Sequence, residues 1–182
     1  MLMSFLRAAG VVALASAITA SPALAYPGVL ALGGWAAGFS HPLQGWDHFV
    51  VMVAVGLWAA QHAGRGRWMI PATFVGVMAI GGAIGASGLN MPGVEAMILV
   101  SVVILAGLAL LRARMPLRLG MAVAAVVAFF HGFAHGQEIP DTTHLATFGL
   151  GFMGATALLH GLGYGVGRLG ALLAARRVHA DL

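Results

Sequence analysis

The sequence predicts an all-α membrane protein: a bundle of about five transmembrane helices behind a cleaved signal peptide, N-terminus outside and C-terminus inside. Three observations predict it. Of the 182 residues, 60% are hydrophobic and only 8% charged, where a soluble domain carries roughly 25% charged residues. Four unbroken apolar stretches reach the about 20 residues that a helix needs to cross hydrocarbon. The basic residues, all of them arginine, recur in every second connection, the pattern that sets orientation. The 27 glycines beside only 7 prolines suit close helix packing in lipid rather than disorder. With no cysteine, disulfides, thiolate sites and iron–sulfur clusters are excluded. The net charge of +4 reads as topology, and nucleic acid is not an expected partner.

The elements follow in order. Met1 to Ala25 has a short head with Arg7, an apolar stretch from Ala8 to Ala20 and an A-x-A site at Ala23-Leu24-Ala25, the layout of a secretory signal peptide. The mature chain is then expected to start at Tyr26; the alternative is an uncleaved first helix. Gly28 to Phe39 is apolar but too short to span, either a re-entrant piece or an extension of the next helix. Pro42 to Gln61 spans if Asp47 and His48 face the bundle interior. Pro42 is expected at the first helical position, with Ser40 or His41 near the cap. Trp68 to Leu89, Gly93 to Leu111, Leu117 to Ile139 and His144 to Gly165 complete five spans. Arg65 and Arg67, then Arg112, Arg114 and Arg118, then Arg168, Arg176 and Arg177 mark the cytoplasmic connections. The outer connections, 88–92 and 140–143, hold no arginine, and one carries Asp141. Residues 26–168 are thus expected as one transmembrane domain, followed by a short basic cytoplasmic tail, 169–182, in a multi-pass protein of the bacterial inner membrane.

Ionisable side chains in hydrocarbon are costly and mark function. Here they fall in two strings, His41-Pro42-Leu43-Gln44-Gly45-Trp46-Asp47-His48 and His131-Gly132-Phe133-Ala134-His135-Gly136-Gln137-Glu138. The topology puts both strings in the outer half of the membrane. His131, His135 and Glu138 are at i, i+4 and i+7 on one helix face, and a histidine pair at i, i+4 can share a metal ion. His131 and Glu138, two turns apart, need a bend to share one; Gly132 and Gly136 would permit it or admit a neighbouring helix. His41 is expected to fold over the helix mouth while Asp47 ligates directly or holds an imidazole from behind. Glu95, in the first turn of its helix, suits the helix dipole or a metal route equally. His160, in an apolar run, is expected near the cytoplasmic end and on the route. Met52, one turn beyond His48, reads as packing; His62, His144 and His179 read as interfacial, loop and tail residues. The alternative for the cluster is an interhelical hydrogen-bond network without metal.

At these strings the chain resembles a known family. His-Pro-x-x-Gly-x-Asp-His with the Val55-Gly56-Leu57-Trp58-Ala59-Ala60 run, then Phe130-His131-Gly132-Phe133-Ala134-His135-Gly136-x-Glu138, is similar to the HupE/UreJ family. Pro92-Gly93-Val94-Glu95 and Leu159-His160 fit the same pattern. The resemblance implies a secondary permease for nickel, in some members cobalt, that serves hydrogenase or urease maturation. It implies His41, Asp47, His48, His131, His135 and Glu138 as metal-route residues; Glu95 and His160 stay further candidates from their positions alone. Family members often begin the mature chain with a histidine; Tyr26 occupies that place here, so a terminal amine-plus-imidazole capture site is not expected.

The expected function is therefore import of Ni²⁺ or Co²⁺ as the transported ion, with no permanently bound cofactor and no enzymatic activity. Imidazole plus carboxylate suits borderline divalent ions, and transport needs open sites weak enough to release. Inward movement gains about 2.3 kcal/mol per unit charge per 100 mV. The rival reading is an intramembrane metal-dependent hydrolase, with histidines on Zn²⁺ and Glu138 as general base.

Overall fold

A computed structural model describes residues 33–139 and 144–180. The signal peptide, the start at Tyr26, Asp141 and the side chain of His179 lie outside the described residues. Six helices follow one another: α1 (Gly33–Gln44), α2 (Trp46–Ala59), α3 (Gly66–Gly85), α4 (Val94–Leu110), α5 (Leu117–Gln137) and α6 (Leu145–Ala180). Of these α3, α5 and α6 are long and apolar enough to cross a membrane, while α2 and α4 are apolar but shorter. The expected first span is broken. Pro42 lies inside α1, not at a helix start, and the break falls at Gly45, whose φ of −86° and ψ of 111° are extended. Pro42 removes one backbone donor near the end of α1, and neighbouring helices make that tolerable in a membrane protein. Gly45 is where the chain can turn: a Cβ there would lie 2.7 Å from the His48 ring and 3.0 Å from Asp47 Oδ1.

Glycine decides which helices touch. Along α5, a Cβ on Gly132 would collide with the Met78 carbonyl and one on Gly136 with the Gly82 carbonyl. From the α3 side, Gly81 and Gly85 meet the carbonyls of Phe129 and Phe133 in the same way. Backbones in contact at small residues gain van der Waals packing that lipid cannot match. A second such seam joins α6 to α1 through Gly38 and Gly151, and to α2 through Gly56 and Gly163. The bundle thus consists of a pair, α3 with α5, and a trio, α1 and α2 with α6; α4 packs on α2 and α5.

At the C-terminal end of α2, Trp58 Nε1 donates to the Ala113 carbonyl at 3.0 Å and Gln61 Nε2 to the Ala109 carbonyl at 2.7 Å, which pins α2 to the end of α4. Helix α6 has 36 residues, about 54 Å at 1.5 Å per residue. It runs without a break through residue 168 into the stretch expected as a separate tail.

Candidate metal centre

The C-terminal ends of α1 and α5 and the N-terminal end of α2 supply the ionisable groups. His41 sits in the last turn of α1, Asp47 in the first turn of α2, and His135 in the last turn of α5, with Glu138 as its C-cap. His41 Nε2 lies 3.0 Å from His135 Nδ1 and 3.1 Å from Glu138 Oε2, and His135 Nδ1 lies 3.1 Å from the same oxygen. These atoms form a nearly equilateral triangle. A single N–H lies along one edge only, so protons cannot fill all three, whereas a cation among them would meet three lone pairs at once. Adjacent ligands about 2.1 Å from an octahedral ion stand about 3.0 Å apart, the edge observed.

Behind the triangle runs a chain of imidazoles. His135 Nε2 is 3.0 Å from His48 Nδ1, and His48 Nε2 is 3.7 Å from Asp47 Oδ2. Asp47 is itself fixed because its Oδ1 accepts the His48 backbone N–H at 2.9 Å. A carboxylate beside Nε2 favours the His48 proton there and leaves Nδ1 as acceptor. His135 then donates from Nε2 and turns the Nδ1 lone pair into the triangle. The tautomers are assigned from this network, and it is the arrangement by which outer groups orient metal-binding imidazoles.

One turn deeper on α5, His131 is fully buried, with its ring 5.3 Å from that of His48. Its Nδ1 lies 3.1 Å from the Val127 carbonyl, so it carries the proton and donates; Nε2 is buried without a partner among the described residues. Two rings of α6 form a shelf beneath the triangle. Phe152 stands 4.5 Å from the His135 ring and 5.9 Å from His41, and Phe148 is 5.6 Å from His41.

The six residues expected as a group therefore converge: His41, Asp47, His48, His131, His135 and Glu138. The conflict between His131 and Glu138 disappears, because His135 rather than His131 completes the triangle. Gly132 and Gly136 admit α3 and leave α5 helical from Leu117 to Gln137. Glu95 does not join the cluster; it is exposed in the first turn of α4. Met52 is wholly buried in the core, as packing requires, and His144 is exposed ahead of α6. His160 lies beside Gly56, in the last turn of α2. Helix α6 continues past it to Ala180, and the His160 ring packs inside the bundle, 5.1 Å from Phe74. His62 is less exposed than expected of an interfacial residue: its Nδ1 is 3.0 Å from the Trp58 carbonyl and its Nε2 is buried. Sequence reasoning missed Phe148, Phe152 and Phe74. The available signal was the four-residue spacing of Phe148, Phe152, Thr156 and His160, which puts them on one face of α6.

Three helices of membrane-crossing length beside an imidazole–carboxylate cluster define an integral membrane protein. Residues 13–180 match the family described as HupE / UreJ protein, so the chain belongs to the HupE/UreJ family. It is 39% identical over 154 residues to Protein HupE of Rhizobium leguminosarum bv. viciae, which covers 84% of this chain and 81% of that protein. No solved structure matches the chain. The family is one of metal-transport-related accessory proteins linked to hydrogenase and urease.

Proposed function

We propose that this protein is a multi-pass inner-membrane permease that imports Ni²⁺, or Co²⁺, for urease or hydrogenase maturation. In this reading five spans, the first of them the broken α1–α2 segment, leave the C-terminus inside and the cluster facing the periplasm. The observation that carries it is the triangle of His41, His135 and Glu138, whose edges of 3.0, 3.1 and 3.1 Å suit an ion better than a set of protons. Glu138, with a side chain 44% exposed, meets the hydrated ion first and contributes charge. His41 and His135 replace water. Asp47 and His48 hold His135 in the metal-binding tautomer, and His131 offers its free Nε2 one turn deeper. Three protein ligands leave positions open, which allows release.

The test is uptake by the purified full chain in liposomes. Ni²⁺ should accumulate inside with wild-type protein, and His135→Ala should reduce the rate at least 100-fold while the protein still inserts and melts as a folded species. Wild-type-like loading by the His131→Ala, His135→Ala double variant would overturn the proposal.

A further inference from the structure

Below the outer cluster, α6 buries two polar side chains, Thr156 and His160. His160 is 3% exposed, and both of its ring nitrogens are buried without a hydrogen-bond partner among the described residues. Buried polar atoms normally find partners, because an unmade hydrogen bond costs more than an apolar replacement would. A neutral histidine kept in this state has its one N–H and its one lone pair both uncommitted. Around it the structure is built rather than loose. The His160 ring stands edge-on to Phe74, with centroids 5.1 Å apart and planes at 88°. The Phe74 ring is also 6.1 Å from that of His131, the residue whose Nε2 is likewise buried and unpartnered among the described residues. One phenyl ring therefore neighbours both imidazoles.

The same column can be followed down α6. Phe148 and Phe152 lie at the level of His41 and His135. Thr156 comes one turn deeper, fully buried, its hydroxyl 3.9 Å from Met78 Sδ. His160 is a turn beyond, each turn advancing about 6 Å. On α5 the descent from His135 to His131 runs alongside. Resting on the permease reading, we propose that His160 is a second, inner metal-binding station, separated from the outer cluster by the ring of Phe74. The ion occupies the outer triangle, moves to His131 Nε2, and reaches His160 when the Phe74 ring turns aside. Nickel and cobalt suit an imidazole with few other ligands because such a station binds weakly enough to pass the ion on.

The test uses the full chain in liposomes and exploits its lack of cysteine. In His160→Gln, equilibrium Ni²⁺ affinity at the outer cluster should stay within twofold of wild type while uptake falls at least tenfold; a packing role alone would leave uptake in step with stability. In His160→Cys, the only thiol in the molecule sits at the inner station. Cd²⁺ added from outside should then produce the ultraviolet charge-transfer band of a cadmium–thiolate bond, absent from wild type, since soft thiolate selects such ions. Wild-type-like uptake by His160→Gln overturns the inner station. So does a folded His160→Cys protein that shows no band although Cd²⁺ competes with Ni²⁺ at the outer cluster. Failure of wild-type protein to load Ni²⁺ at all would instead overturn the permease reading.

Discussion

Where α3 meets α5 the backbones touch; where α5 faces α1, α2 and α6, side chains alone make the close contacts described. On the first interface Gly132 and Gly136 leave no room for a Cβ. On the second, every polar contact crosses open ground: His41 and His48 reach from the trio to His135 and Glu138 on the pair. An apolar groove of about 350 Å³ opens on this second side between α3, α5 and α6, and His135 lies in its wall. The contrast separates two tasks. Glycine packing makes α5 a fixed platform for His131 and His135. The side-chain seam lets the partners of those histidines arrive from another unit, so that relative motion of pair and trio would assemble or dissolve the triangle. Rocking of one bundle against another around a fixed site is how many secondary transporters alternate access.

The comparison breaks most visibly at the glycines. Gly132→Leu or Gly136→Leu forces α5 off α3 and is expected to cost more than about 3 kcal/mol, the upper range for overpacking, read as loss of folded protein in a thermal melt. Gly161→Ala is the matched control. Nothing lies within 4 Å of the position that its Cβ would take, so the melt should be unchanged or rise by up to about 1 kcal/mol of stability. Equal damage from both substitutions would mean that close approach is not what these glycines serve.

The seam is sharpened by removing its contacts one at a time. His135 touches His41, His48 and Glu138, so His135→Ala should weaken Ni²⁺ binding in calorimetry by at least 100-fold, about 2.7 kcal/mol. His41 contributes one corner of the triangle, and His41→Ala should cost about tenfold. Because both serve one ion, the double variant should lose less than the sum of the two. Strict additivity would place them in separate sites. Asp47→Asn keeps the shape but removes the charge that fixes the His48 tautomer. Its cost should be about tenfold in affinity, at the low end for groups that orient a metal ligand, with little change in melting.

The sequence made the helices legible because each is an apolar run bounded by glycine, proline or arginine, and α5 begins at the expected Leu117. The gathering of ionisable side chains was legible because such residues in apolar runs have few structural excuses. Three things were not. The kink was expected at Pro42 because proline favours helix starts, but Gly45 takes it, since neighbouring helices let Pro42 sit within α1. The length of α6 was hidden because the helix continues to Ala180, past the apolar run that ends at Gly165. The aromatic shelf was hidden because Phe148 and Phe152 carry the same spacing as any buried helix face.

That shelf gives the smallest expected effect. Phe152 packs on the His135 ring at 4.5 Å with planes tilted by 50°, and it also lines the groove on the seam. It offers no ligand atom, so its contribution is to restrict the imidazole before the ion arrives. Phe152→Leu keeps most of the volume, and a volume-conserving apolar exchange in a core costs less than about 1.5 kcal/mol. With the shelf softened, His135 samples orientations that do not face His41, and ordering it becomes part of the cost of binding, about 0.5–1.5 kcal/mol per immobilised side chain. The expected result is a two- to fivefold loss of Ni²⁺ affinity, within the roughly tenfold that 1.4 kcal/mol represents. The stoichiometry in calorimetry should not change. Leu at position 152 should also leave the melting of the α3–α5 pair untouched, since Phe152 belongs to the trio. A loss as large as that of His135→Ala would show that the shelf holds the two units together rather than one ring in place.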